Sequence, residues 1–154
     1  GARYSDGTRT FWEHQGIGRY FVGEKLQFEG GPVPAAGYTG GVTSKLLKQT
    51  TVTANGQKIA YPVTDRAEVT AMTVDLAPGT ETGWHKHAIP VYAYVLSGVI
   101  EVELEGGQRI SYKTGDVIIE VVNTFHNGSN RGIEPVRLVV FYTGIKNQPN
   151  VIRK

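Results

Sequence analysis

The stretch VIEVELEGGQRISY, residues 99–112, admits few folds. Ile100, Val102 and Leu104 alternate with Glu101, Glu103 and Glu105, Gly106-Gly107 turns the chain, and Ile110 and Tyr112 resume the alternation. Apolar residues at every second position line one face of a strand and miss the stripe, with its period of roughly 3.6 residues, that a helix would need. The pattern recurs along the chain. EVTAMTVDLAPG sets Met72, Val74 and Leu76 on one face and stops at Pro78-Gly79, while DVIIEVV and EPVRLVVFYTG are denser apolar runs. TVTANGQKIAYP carries Asn55-Gly56, a strong hairpin signal, between two extended pieces. No segment holds a helical period beyond two turns, and no internal repeat is present. Short strands joined by glycine turns predict an all-β sandwich or closed barrel. The glutamate row 101, 103, 105 reads as a solvated strand face, against a cation-binding alternative.

Composition narrows the function classes. The 154 residues suffice for one hydrophobic core, and 40% hydrophobic with 19% charged residues is ordinary for a globular protein. The net charge is +2 and the longest basic run is Arg153-Lys154, so no concentrated basic face for nucleic acid is expected. No cysteine is present, which excludes disulfides, thiolate nucleophiles and cysteine zinc sites. No apolar run approaches the ~18 residues of a membrane span. The chain starts at Gly1 rather than Met, so the expected compartment is the cytoplasm or, if a signal peptide was removed, the periplasm or exterior.

Residues 1–44 are rich in Gly, Pro and aromatics (Tyr4, Phe11, Trp12, Tyr20, Phe21, Phe28 and Tyr38), with strand-like patches at RYFVGE and KLQFEG. They are expected to form an extended arm preceding a barrel domain at 45–154. Such an arm is ordered by lying on something, either its own barrel or a neighbouring subunit.

The chemistry sits in GWHKHAIPVYAYVLSG. His85 and His87 are spaced i, i+2 and share a strand face, so they offer two imidazoles to one metal ion. His126, in VVNTFHNGSN, is the candidate third ligand. Spacing alone leaves open whether these are ligands or hydrogen-bonded histidines. Other catalytic plans lack their residues: there is no Gly-x-Ser-x-Gly elbow, and GIGRYFVG lacks the lysine of a phosphate loop.

These segments resemble the two motifs of the cupin superfamily. Gly79, five residues, His85-Lys86-His87 and a later Gly98 match the first motif; Gly115, five residues, Val121-Val122-Asn123, two residues, His126, three residues and Asn130 match the second. The resemblance implies a jelly-roll barrel (double-stranded β-helix), with His85, His87 and His126 binding one divalent transition metal ion, Fe, Ni, Cu, Mn or Zn. Two departures stand out. Val91 occupies the position of the family's metal-binding glutamate, and the Pro-x-Gly of the second motif has become Val121-Val122-Asn123.

The resemblance to cupins whose site is three histidines implies dioxygenase-like chemistry on a small phenolic or enolic compound. The alternative, which Val91 favours, is a non-catalytic module that binds or senses a small ligand with a structural metal or none. Restoring the carboxylate by Val91→Glu is expected to tighten metal binding. Ala93 and Val95 share the face of Val91, so the three are expected to form a small apolar wall for a flat aromatic or short aliphatic ligand. Glu120, on the strand leading to His126, and Glu81, in the loop before His85, are the alternatives for the missing carboxylate, but neither occupies the motif position; Glu120 is otherwise expected beside the site. Tyr92 should point to the opposite face. Trp84 is expected at the pocket rim or in packing, Asn130 and Asn127 around the loop of His126, and His14 on the surface of the arm or over the barrel mouth. A small-molecule partner and a homodimer are expected, with neither nucleic acid nor membrane.

Overall fold

The computed structural model describes residues 3–14, 17–22, 24–30 and 43–154. Among these residues there are thirteen strands and no helix. The chain divides into two compact units, Gly1–Leu46 and Leu47–Lys154. The first holds β1 (Arg3–Ser5), β2 (Arg9–His14), β3 (Ile17–Val22) and β4 (Lys25–Gly30), paired in chain order as an antiparallel meander. Residues 19–22 of the patch RYFVGE fall on β3, and KLQFEG is β4.

The second unit holds β5 (Ala67–Leu76), β6 (His85–Lys86), β7 (Val91–Ser97), β8 (Val99–Leu104), β9 (Arg109–Lys113), β10 (Val117–Ile119), β11 (His126–Ser129), β12 (Val136–Ile145) and β13 (Ile152–Arg153). They form a four-stranded sheet in the order β10-β7-β12-β5 and a five-stranded sheet in the order β13-β6-β11-β8-β9. Non-consecutive strands pair antiparallel in both, the arrangement of a jelly roll.

Alternation decides what fills the space between the sheets. Val91, Ala93 and Val95 on β7 stand opposite Tyr142, Val140 and Leu138 on β12, and all six are buried. Ile118, Leu76 and Val136 extend this layer, and Ile100 and Tyr112 meet it from the other sheet. Tyr92 alternates outward, as its position predicts, and pairs with Ile119 and Phe141. Its phenolic oxygen is buried, with the Tyr61 phenol as its neighbour.

Two turns carry backbone demands. Gly98 joins β7 to β8 at φ 79°, and a Cβ there would lie 2.8 Å from the Pro135 carbonyl oxygen, so no side chain fits. Asn123 adopts φ 56°, in the left-handed region that asparagine tolerates better than most residues. It stands at the glycine of the altered Pro-x-Gly, so the turn before His126 survives the change of residues.

DVIIEVV yields a strand of only three residues. After Ile119 the chain leaves the four-stranded sheet: Val122 bridges to His87, and the Asn123 N–H donates to the His87 carbonyl at 2.7 Å. The continuous apolar run is therefore a crossing between sheets, buried at Val121.

Candidate metal centre

His85 lies on β6, His87 just beyond it, and His126 opens β11, directly opposite His85 in the ladder. This register brings the three rings together, with centroids 5.0, 4.4 and 5.1 Å apart. One nitrogen from each lies within 4.8 Å of the others. His87 and His126 are 1% and 4% exposed, and His85 is half-buried.

Every Nδ1 faces a backbone carbonyl: His85 that of Gly83 at 2.8 Å, His87 that of Asn150 at 2.7 Å, and His126 that of Thr124 at 3.0 Å. A carbonyl only accepts, so each Nδ1 carries its hydrogen and donates it. In the neutral imidazole Nε2 then holds a lone pair, the form that binds metal. Two of the three orienting carbonyls lie two residues before their histidine, so strand entry and ring orientation are set by the same short segment.

Glu120 joins the group. Its Oε2 lies 3.0 Å from His87 Nε2 and 3.1 Å from His126 Nε2. With both Nδ1 atoms already donating, two lone-pair nitrogens facing a carboxylate oxygen would repel it. The contacts are favourable with a proton on each Nε2 or with a cation shared among the three atoms. Burial pushes the Glu120 carboxyl up, but the hydrogen bonds from His126 and His87 outweigh it and hold the group well below the usual carboxylate range. Burial lowers His126, and Glu120 more than reverses this, leaving it raised. His85, held back mainly by burial and not in contact with Glu120, is lowered. Three imidazoles and a carboxylate suit a divalent first-row transition ion, so the residues present fit the metal that the sequence motifs imply.

The nitrogens face a cavity of about 60 Å³. Val74, Ile100, Val102, Leu138 and Val140 make its apolar wall, with Tyr112 and Tyr142 as its phenols and Glu120 as its one carboxylate among the described residues. Tyr142 packs edge-on against His87 at 5.6 Å between centroids. Burial, and after it the charge of Glu120, raise the pKa of both phenols, which keeps them protonated as donors.

The other residues singled out in the sequence fall as follows. Val91, Ala93 and Val95 are buried in the core but do not line the cavity; the apolar wall comes from β5, β8, β10 and β12. Trp84 sits outside it under the Lys154 ammonium, 5.5 Å above the ring. Asn130 is 1% exposed and donates to the carbonyls of Leu76 and Glu134, so it pins the β11–β12 connection rather than the loop around His126. Asn127 donates to Glu81 Oε2 at 2.7 Å, which occupies that carboxylate away from the histidines. The glutamate row is engaged by cationic side chains: Glu101 with Arg131 at 2.8 Å, Glu103 with Arg109 at 3.1 Å and Glu105 with Lys154 at 2.9 Å. The side chain of His14 lies outside the described residues.

Three participants escaped the sequence reading. Tyr112 and Tyr142 could have been found from alternation, since each shares a face with core residues of its strand. The Asn150 carbonyl carried no signal, because a main-chain acceptor 63 residues beyond His87 has no side-chain signature.

Residues 72–142 match the family model described as a cupin domain. Among curated proteins, the chain is 38% identical over 47 residues to Oryzines biosynthesis cluster protein J of Aspergillus oryzae. That stretch covers 30% of this chain and 26% of the relative, so the match spans about a quarter of that protein. Among solved structures, the chain is similar to the DMSP lyase DddQ from Ruegeria pomeroyi DSS-3, with 19% identity, a TM-score of 0.49, and coverage of 56% of this chain and 43% of that one. It is also similar to an oxalate decarboxylase from Lactobacillus farciminis solved as a formate complex, with 20% identity, a TM-score of 0.49, and 55% and 26% coverage. An uncharacterized conserved protein with a double-stranded β-helix domain from Klebsiella pneumoniae matches with 25% identity, a TM-score of 0.46, and 59% and 78% coverage.

Proposed function

We propose, on the premise of the cupin domain that residues 72–142 match, that the chain is a mononuclear metal enzyme with dioxygenase-like activity on a small enolic compound. His85, His87 and His126 hold the ion. The observation that carries this reading is the common orientation of the three rings, each fixed through Nδ1 so that its Nε2 faces the apolar cavity. A divalent ion bound there supplies Lewis-acid polarisation of an anionic oxygen and, if it is redox-active, a site for dioxygen.

The chain's own residues supply the rest. The neutral imidazoles leave the ion's charge available to an enolate. The aliphatic wall excludes water and so strengthens that attraction. Tyr112 and Tyr142, protonated, offer hydrogen bonds to a ligand oxygen. Size favours one of the two substrate classes raised by the sequence. A cavity of roughly 150 Å³ takes up a benzene ring, whereas this one is about 60 Å³; it suits an enolic or short aliphatic group better than a phenol.

The same small volume suits a second reading, a non-catalytic module binding a small ligand beside a structural metal or with none. Pairing of two copies belongs to either reading. It is supported by Val69 and Phe141, 67% and 44% exposed, on the outer face of the four-stranded sheet.

Oxygen uptake by anaerobically iron-loaded protein, measured against a panel of small enols, phenols and short carboxylates, tests the activity. Consumption that depends on one enol, and is lost in His126→Ala, is the expected result. Ligand binding by calorimetry without oxygen consumption, with each metal in turn, would establish the second reading instead.

A further inference from the structure

The first cupin-like motif lacks its carboxylate, yet a carboxylate stands at the histidines. We propose that Glu120 is the fourth protein ligand of the metal centre, a carboxylate supplied from the end of β10 in place of Val91 on β7. The inference rests on the three-histidine centre proposed above and adds a ligand to it.

Register is the first argument. β10 pairs with β7 through Ile119 opposite Tyr92, and the next residues along, Glu120 and Val91, are joined by a hydrogen bond from the Glu120 N–H to the Val91 carbonyl at 3.0 Å. The residue bearing a carboxylate is therefore the lateral neighbour of the residue that lacks one. Adjacent strands lie roughly 4.8 Å apart, a step that a glutamate's two methylenes can span.

Distance is the second argument. Ligands at right angles around an ion, each roughly 2.1 Å from it, are separated by roughly 3.0 Å. Glu120 Oε2 stands 3.0 Å from one Nε2 and 3.1 Å from another. One oxygen thus already lies at the spacing of a neighbouring ligand to both nitrogens.

Charge is the third. A divalent ion on three neutral imidazoles would bring its full charge into a mostly apolar cavity, where an uncompensated charge is costly. Among the described residues that line the cavity, Glu120 is the only acidic one. With it the site carries one net positive charge and still welcomes an anionic ligand, but tolerates a neutral one better than three imidazoles alone would. Glu81 is exposed, is not among the residues lining the cavity, and accepts a hydrogen bond from Asn127.

The test is chelator competition with Co²⁺ on the whole chain, comparing wild type, E120Q and H126A, with visible spectra of the loaded proteins. Glutamine keeps the shape of glutamate and removes its negative charge. Wild type should bind Co²⁺, H126A should fail to, and E120Q should bind at least tenfold more weakly with a shifted ligand-field spectrum. A loss under tenfold with an unchanged spectrum overturns the role of Glu120 while leaving the three-histidine centre standing. No Co²⁺ uptake by wild type overturns both. A metal-loaded minus metal-free infrared difference spectrum of the wild type is a check that needs no variant to fold. Displaced carboxylate stretching bands support coordination, and unmoved bands overturn it.

Discussion

The two sheets of the barrel give the cavity different things. The five-stranded sheet brings the imidazoles, on β6, just beyond it, and at the head of β11. The four-stranded sheet brings Val74, Ile118, Leu138 and Val140 to an apolar wall completed by Ile100, Val102 and Leu104 of the other sheet, and Glu120 follows its β10. Donor orientation on the histidine side is largely local, with the carbonyls of Gly83 and Thr124 two residues from the rings they hold. On the opposite side nothing is local: Glu120 is placed by the pairing of β10 with β7 and by the departure of the chain toward the second sheet. The difference teaches that short spacing can gather the three imidazoles while the carboxylate beside them is placed by lateral strand pairing.

The largest expected effect comes from placing a carboxylate on β7. Taken alone, the sequence implies that V91E completes the site. With Glu120 already against two histidines and Val91 only 1% exposed, the substitution instead buries a second carboxylate in the core. Metal-free V91E should lose about 3–5 kcal/mol of stability in urea unfolding; a change below about 1 kcal/mol would show that the β7 position has room and solvent for a charge.

A smaller loss is expected from the wall. Leu138 is 5% exposed and lines the cavity, so L138A should cost about 2–4 kcal/mol by transfer and cavity terms. Its affinity for Co²⁺ should stay within roughly tenfold of wild type, because the nitrogens are held from the other sheet. A collapse of metal binding in L138A would mean that the two sides do not act separately.

The smallest effect lies on the outer face. Burial, and then the neighbouring Tyr61 phenol, push the pKa of Tyr92 up to about 12. A raised pKa means the folded state favours the protonated phenol. That contribution is present below about pH 10, the unfolded value, and is lost as pH rises to about 12. Its slope cannot exceed about 1.4 kcal/mol per pH unit, and partial exposure reduces it further. Y92F should flatten the loss of stability over this window; an unchanged profile would place Tyr92 in contact with solvent.

Much of the fold was legible. The alternation at residues 99–112 became β8, a glycine turn and β9, and EVTAMTVDLAPG became β5, because a strand's period is written in consecutive residues. The glycines of the two motifs and the spacing of His85, His87 and His126 predicted a cupin barrel with three clustered histidines. DVIIEVV read as one strand because periodicity cannot distinguish a buried strand from a buried crossing between sheets. Val91, Ala93 and Val95 read as cavity wall because alternation gives the face of a strand but not the depth of each residue beneath its neighbours.

The sequence by itself determined that the chain is all-β, that two imidazoles share a face and that a third follows at cupin spacing; these depend on local periods and short separations. Only the tertiary structure decided that Glu120 reaches His87 and His126, that the Asn150 carbonyl orients His87 and that the cavity is about 60 Å³. Each of these depends on which strands lie side by side, and lateral neighbours across a sheet can be dozens of residues apart with no period linking them.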